Sequence, residues 1–176
     1  MRLSEAALAA NAMSQAISPG ECQMAFKDQS LDTVHGCNSC HGAHEFNTQK
    51  AAVEGCLSCH NDEHSLAYND SPHNALWQKE LSGEGLPGTG VTCATCHMPR
   101  TTKKVGGKMI TSVEHNQNHF LRPNEKMIRP ICMSCHGLEF SIDALSDPEL
   151  IKNNFNGKPG IHIESVDWAT KRTNRE

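Results

Sequence analysis

The sequence repeats one five-residue pattern four times: Cys37-Asn38-Ser39-Cys40-His41, Cys56-Leu57-Ser58-Cys59-His60, Cys93-Ala94-Thr95-Cys96-His97 and Cys132-Met133-Ser134-Cys135-His136. Two thiols at this spacing can add to both vinyl groups of one porphyrin, and the next residue then lies under the iron. We therefore predict four covalently bound haem c groups. Their attachment residues are Cys37, Cys40, Cys56, Cys59, Cys93, Cys96, Cys132 and Cys135, and their proximal ligands are His41, His60, His97 and His136.

Two other uses of paired cysteines compete with this interpretation. Zinc sites of four cysteines use the same spacing, but they do not require a histidine directly after every pair. With 11 histidines among 176 residues, four such histidines would arise by chance about once in 65,000 trials. A disulfide framework also needs no histidine and usually serves smaller chains. The histidines thus favour haem over both alternatives.

The composition indicates how such a chain would fold. Hydrophobic residues make up 37% of the sequence and aromatic residues only 5%, so the polypeptide alone offers a thin core, with one site for about every 44 residues. Porphyrins would supply the missing apolar mass. We predict a single domain over residues 1–176, mainly α with extensive loop and few or no strands, wrapped around a covalent haem core.

Local signals divide this domain into segments. Residues 1–18 favour an Ala-rich helix over a cleavable signal peptide, and Ser71-Pro72 predicts the start of another helix. Residues 101–118 form a polar stretch, with Lys103, Lys104 and Lys108 in a Gly-containing loop. The remaining predictions are a loop over residues 82–90, four attachment sites over 37–136, and C-terminal helices with a tail over 137–176, broken at Asp147-Pro148.

Seven histidines remain beyond the four proximal ones, and four haems need at most four distal ligands. His44 and His64 follow a proximal histidine by three and four residues, which places them against a neighbouring haem. His73 is predicted at a helix start and His115 in a loop before the fourth site. We expect these four as distal ligands, with His35 and His119 as further candidates; the sequence leaves their pairing with particular haems open.

Charge and hydropathy limit the classes of partner that the protein is expected to bind. The formal charge is −4, and four bis-histidine haems would bring it to roughly −8 oxidised and −12 reduced, which disfavours nucleic acid. No apolar run approaches the 18 residues of a membrane span. Because haem is normally attached outside the cytoplasm, we expect a periplasmic or extracellular protein that meets other redox proteins.

The order of these motifs and histidines resembles the second, electron-transfer half of the octahaem hydroxylamine oxidoreductase family. The resemblance covers residues 20–155 and includes His44-Glu45-Phe46 after the first motif, Met98 after the third and His115-Asn116 before the fourth. It implies bis-histidine haems stacked in close pairs. It also supports His44, His64, His73 and His115 as the distal set.

The departures from that family bear on activity. The family's reactive haem would precede the first motif, where this chain has Gly20-Glu21-Cys22-Gln23-Met24-Ala25-Phe26. We interpret this as a degraded site in which Ala25 replaces the second cysteine and Phe26 the proximal histidine; the alternative is that Cys22 is an ordinary buried thiol. The family's crosslinking tyrosine also has no counterpart.

The sequence therefore predicts a tetrahaem electron-transfer protein without catalytic residues. It could also serve as the repeating subunit of an extracellular filament, joined head to tail to identical copies. The alternative is an oxidoreductase of nitrogen oxides or hydroxylamine, or a subunit of one. That activity requires one iron with an open position beside acid and base groups.

Overall fold

The structure, a computed structural model, describes residues 40–41, 47–165 and 167, apart from the side chain of residue 118. About half of these residues are helical, and the only β structure among them is one two-stranded hairpin. The predicted mainly α class is thus confirmed for this part of the chain. The predicted helix at residues 1–18 and the degraded site lie outside the described residues.

The helices are short and separated by loops. In chain order they are α1 (Thr48–Leu57), α2 (Glu63–Ala67), α3 (Pro72–Ser82), α4 (Cys93–His97), α5 (Asn118–Leu121), α6 (Leu138–Ser146) and α7 (Pro148–Lys152). Three 3-10 turns lie between them, at Tyr68–Asp70, Asn124–Met127 and Cys132–Ser134. None of the described helices combines the length and apolar character needed to cross a membrane.

Capping residues set the starts of the helices that matter for the site. Helix α3 begins at the predicted Ser71-Pro72 step, where the Ser71 hydroxyl accepts the Asn74 N–H at 3.2 Å and Pro72 occupies the first helical position. Asp147 likewise accepts the Leu150 N–H at 3.1 Å and separates α6 from α7. The start of α3 and the break between α6 and α7 both follow from the local sequence alone.

The side-chain core is small, and one residue from each of two motifs packs against it. Val53, Tyr68 and Trp77 form a buried cluster, against which Leu57 and Cys93 pack. The Tyr68 hydroxyl donates to the Val91 carbonyl at 2.8 Å, two residues before the third motif. This cluster therefore fixes the third motif against α1 and α3.

The stretch predicted as a polar loop is instead a β-hairpin. Strands β1 (Arg100–Val105) and β2 (Lys108–Val113) pair antiparallel with Arg100 opposite Val113. Gly106 and Gly107 form the two-residue turn with φ of 57° and 84°, a conformation that glycine adopts without strain. The loop prediction was wrong. The glycine pair is a hairpin-turn signal, but the flanking residues are too polar to be recognised as strands.

Candidate haem-binding site

Each of the three fully described motifs folds as one tight turn. The His60 N–H donates to the Cys56 carbonyl at 2.9 Å, and the His136 N–H donates to the Cys132 carbonyl at 2.8 Å. The third motif forms the whole of α4, which Thr92 and Thr95 start with a reciprocal capping box. One turn brings the first cysteine and the histidine close together, as attachment to a single porphyrin requires.

Neighbouring motifs also lie next to one another. Helix α1, which carries Cys56, packs against α4, and the thiols of Cys56 and Cys93 share a hydrogen bond that raises the pKa of Cys56. Burial raises the pKa of Cys96 to about 12, with a smaller contribution from Cys132. The second and third motifs are thus in contact, and the fourth lies near enough for Cys132 to affect Cys96.

The fold brings His64 to the proximal histidine of the third motif. The centroids of the His64 and His97 imidazole rings lie 6.2 Å apart, with their planes inclined by 60°. His64 stands in the first turn of α2, which Asp62 caps by accepting the Ser65 N–H at 3.1 Å. His64 thus lies against a histidine of the third motif, and its role as a distal ligand stays a prediction.

A second pair has the same spacing. The ring centroids of His73 and His136 also lie 6.2 Å apart, with an angle of 67° between their planes. His73 stands in the first turn of α3, directly after the Ser71 cap. Two of the predicted distal histidines therefore each meet one predicted proximal histidine.

The spacing of both pairs matches that of two imidazoles on opposite sides of one metal ion. A metal–nitrogen bond to histidine is about 2.0–2.1 Å, and a ring centre lies about 1.1 Å behind its nitrogen, so two such rings are separated by about 6.3 Å. Ordinary tilted and edge-to-face ring contacts have the same spacing, as those of His64 and His73 with the Phe155 ring do at 6.3 and 6.2 Å. The distance is thus compatible with one metal ion between the rings of each pair, and iron ligation stays a prediction.

Hydrogen bonds hold the His64 ring in a ligand's orientation. Its Nδ1 contacts the Ile151 carbonyl at 2.5 Å, which keeps that nitrogen protonated and directs Nε2 away from it. The Asn154 amide donates to the His64 carbonyl at 3.0 Å and lies 3.4 Å from Nε2, so that nitrogen is only weakly engaged. The sequence offered no signal for these contacts, which join residues 87 and 90 positions apart.

Burial favours the neutral, metal-binding form of one histidine in each pair. Desolvation, followed by the charges of His64 and His60, lowers the pKa of His97 to about 4. Desolvation, followed by the charge of His136, also lowers the pKa of His73. An imidazole that remains neutral at ordinary pH is ready to act as a ligand.

Phe155 connects the two pairs. Its ring centroid lies 6.3 Å from that of His64 and 6.2 Å from that of His73. Asn154 and Phe155 both adopt positive φ, of 55° and 59°, a conformation that L-residues rarely hold without support from their surroundings. Phe155 was missed at the sequence level because nothing in its neighbourhood distinguishes it from a core aromatic.

The other candidate ligands are placed differently. His115 lies just beyond β2, and its Nδ1 contacts the Val113 carbonyl at 3.1 Å, but no described proximal ring lies in contact with it. His119 is exposed and pairs with Glu114 at 3.2 Å. His35, His44, Cys22 and Cys37 lie outside the described residues, so the ligand roles of these histidines and of His115 and His119 stay predictions.

The arrangement of thiols also bears on the zinc alternative. A zinc site built from any two motifs would bring at least three of the seven described cysteines together. Among the described residues, however, the one convergent group of three potential ligands is Glu139, His162 and Asp167, which contains no cysteine. The geometry therefore favours separate histidine pairs over a shared thiolate site.

No protein-family model, curated protein or solved structure matches the chain. The resemblance to the hydroxylamine oxidoreductase family thus stays an expectation from the motifs, and the functional argument rests on the geometry above.

Proposed function

We propose that the protein is a tetrahaem c-type cytochrome that carries electrons and does not transform a substrate. The observation that supports this most directly is the pairing of His64 with His97 and of His73 with His136 at the spacing of two ligands on one iron. An iron held between two imidazoles has no open position for substrate. It changes its charge by one electron while no bond to it forms or breaks.

In this proposal different residues have different roles in binding the haems. The cysteines of each motif would form the thioether links, and the histidine that follows would supply one nitrogen ligand to the iron. Haem supplies the exchangeable electron when bound, while the polypeptide sets its ligands, its solvent access and its distance from the next haem. The Ile151 carbonyl and the Asn154 amide orient His64 for this task.

The contacts between motifs support a continuous electron path. Cys56 touches Cys93, and Cys96 lies near Cys132, so haems attached there would be near neighbours. Short separations favour fast transfer between haems, and electrons would enter from and leave to other redox proteins. We place the protein outside the cytoplasm, where haem is normally attached, with the filament subunit as one form it could take.

The first test is electron paramagnetic resonance of the oxidised protein, with haem quantified on the same sample. We expect four haems per chain and only low-spin ferric signals. Because the two imidazole pairs have strongly inclined planes, we expect signals with a large maximal g value among them. A high-spin haem in the native protein would overturn the proposal and favour an oxidoreductase, and a colourless protein that contains zinc would overturn it outright.

A further inference from the structure

The hairpin formed by β1 and β2, residues 100–113, stands apart from the rest of the described chain. Ten of its twelve strand residues are exposed, and only Thr101 and Ser112, near its base, are partly covered. A two-stranded hairpin is marginally stable in water unless its face packs against something. We propose that this hairpin is a docking arm that binds the acidic surface of a second copy of this chain.

The arm combines apolar and cationic groups in a regular order. Three successive cross-strand pairs each join one lysine to one apolar residue: Lys103 to Ile110, Lys104 to Met109, and Lys108 to Val105. The apolar members are 45%, 67% and 47% exposed. Because side chains of successive pairs point to opposite faces, both faces of the arm present this mixture. Such an arm suits a groove that contacts it from two sides.

The distribution of charge along the chain indicates which partner binds the arm. The hairpin carries Arg100, Lys103, Lys104 and Lys108 and no acidic residue, which gives it a charge of +4. The rest of the chain keeps 12 of the 16 basic residues against all 20 acidic ones, or −8. In the part of the chain that the structure describes, none of the four hairpin cations forms an ion pair. A second copy therefore offers a surface of opposite charge to an arm whose cations form no ion pair among the described residues.

An anionic membrane is the less favoured partner. Its surface would attract the arm but repel the −8 remainder of the same molecule. Each of these apolar side chains also lies opposite a lysine on the neighbouring strand, whereas an inserting loop would gather apolar residues without cations between them. The observations thus favour a protein surface.

The position of the arm would place this contact beside a haem. Only Met98 and Pro99 separate it from His97, and Glu114 alone separates it from His115. The Glu114 N–H donates to the Pro99 carbonyl at 3.0 Å and closes the base of the hairpin. A copy bound to the arm would therefore lie near the third attachment site. This consequence rests on the proposed function, whereas the contact itself rests on the chain's own charge.

The test uses the haem-loaded protein and measures its molar mass by sedimentation velocity over a range of concentration and salt. We expect self-association that weakens with salt. Reversal of three arm charges, K103E with K104E and K108E, should weaken it by at least about tenfold. The matched control reverses three exposed lysines elsewhere, K79E with K126E and K158E, and should weaken it far less. M109S with I110S tests the apolar part and should also weaken association.

Crosslinking identifies what the arm touches. A carbodiimide joins lysines directly to carboxylates, and an equal mixture of unlabelled and isotopically heavy protein distinguishes links between chains from links within one. We expect mixed-isotope links from Lys103, Lys104 or Lys108. Links within one chain only would mean that the arm is covered by its own chain, and this would overturn the proposal.

Three further outcomes would also overturn it. A monomer at all concentrations would mean that the lysines only protect the strand edges from pairing. Binding to vesicles of anionic phospholipid, without self-association, would assign the arm to a membrane surface. Equal weakening by both triple variants would indicate a non-specific effect of net charge. None of these readouts depends on iron ligation, so a high-spin haem in the resonance test would refute the electron-transfer function and leave this inference standing.

Discussion

The two imidazole pairs share one spacing but are supported in different ways. His64 and His97 are partly buried, and His64 is held by contacts to Ile151 and Asn154 from the far end of the described chain. In the other pair, His136 is exposed and stacks on Phe140 at 4.8 Å, only four residues away. Its partner His73 depends on the cap of its own helix. The first pair thus has tertiary hydrogen bonds, whereas the cap and the stacking ring of the second pair are close in sequence and Phe155 is a tertiary contact that both pairs share.

This difference indicates how two haems in one small domain could have distinct properties. A more buried haem with a fixed ligand exchanges less with solvent, and its reduction potential responds to hydrogen bonds and burial. A more exposed pair leaves its haem more accessible to water and to small ligands. We expect the third site to be the more protected of the two.

The largest effect should come from removing each distal histidine. His64→Ala and His73→Ala should each convert one low-spin haem per chain to the high-spin form, because each iron loses one of its two axial ligands. Cyanide should bind faster in the His73 variant, where the proximal partner His136 is exposed. Electron paramagnetic resonance measures the spin state, and stopped-flow absorbance measures the binding rate.

His162→Ala is the matched control, since His162 is exposed and already pairs with Asp143 at 2.8 Å. It should leave all haems low-spin. His64→Met should restore a six-coordinate iron with a higher reduction potential, as methionine ligation does in cytochromes. If His64→Ala kept a fully low-spin spectrum, His64 would not be the ligand at the third site.

The sequence predicts interactions between residues that are close in the chain better than interactions between distant ones. The cap at Ser71 and the break at Asp147 depend on residues within one helical turn, so the sequence was sufficient. The short distance between His60 and His64 predicted that His64 serves another site, because four residues cannot span both faces of one haem. Its particular partner, His97, is set by how α2 and α4 pack, which no local pattern records.

The same reasoning explains what the sequence could not supply. The sequence predicts a loop where the hairpin lies, because the strands are polar. An exposed hairpin lacks the alternation of buried and exposed residues that identifies a strand. Phe155 reaches two histidines through a backbone conformation that no residue type demands. The contacts of His64 with Ile151 and Asn154 span most of the described chain and depend on the complete fold.

A smaller effect on both pairs should follow from changing the residue that they share. Phe155→Leu removes the aromatic ring between His64 and His73 while it keeps an apolar side chain of similar size. We expect shifted g values for two haems and lower reduction potentials, because water gains access and stabilises the ferric state. Redox titration followed by electron paramagnetic resonance measures both quantities.

Phe120→Leu is the control, because Phe120 lies outside both pairs and, among the described rings, stacks on the exposed His119. It should change neither signal. If Phe155→Leu altered a single haem, the two pairs would not be coupled through this ring.

A pH-dependent effect is expected in the segment after the fourth motif. The hydrogen bonds that His162 donates to the carboxylate of Asp143, and then to that of Asp167, raise the pKa of His162 above its ordinary 6.5, so this stabilisation is lost as pH rises through the raised value. The hydrogen bond from His162, and after it the one from the Ile163 N–H, lowers the pKa of Asp143 below 3.8. The stabilisation from the Asp143 carboxylate is lost as pH falls through this lowered pKa. The pair should stabilise the fold most between these limits.

Thermal unfolding of the wild type and of Asp143→Asn across this range checks the prediction. The difference in melting temperature should be largest near pH 5 and should shrink above the raised His162 value. Glu125→Gln, which neutralises an exposed carboxylate outside any described ion pair, is the control. A constant difference at every pH would show that Asp143 acts through its bond to the Ile163 N–H alone.

The smallest effect should separate the two pairs most cleanly. Ser71→Ala removes the buried hydroxyl that accepts the Asn74 N–H at 3.2 Å and donates to the Tyr68 carbonyl at 2.8 Å. Loss of this cap should lower the free energy of unfolding by about 1 kcal/mol. Because the cap fixes the first turn of α3, the His73 haem should show a broadened signal while the His64 haem is unchanged. Ser82→Ala, at the exposed end of the same helix, should do neither, and equal broadening of both haem signals in Ser71→Ala would refute the local origin of the second pair.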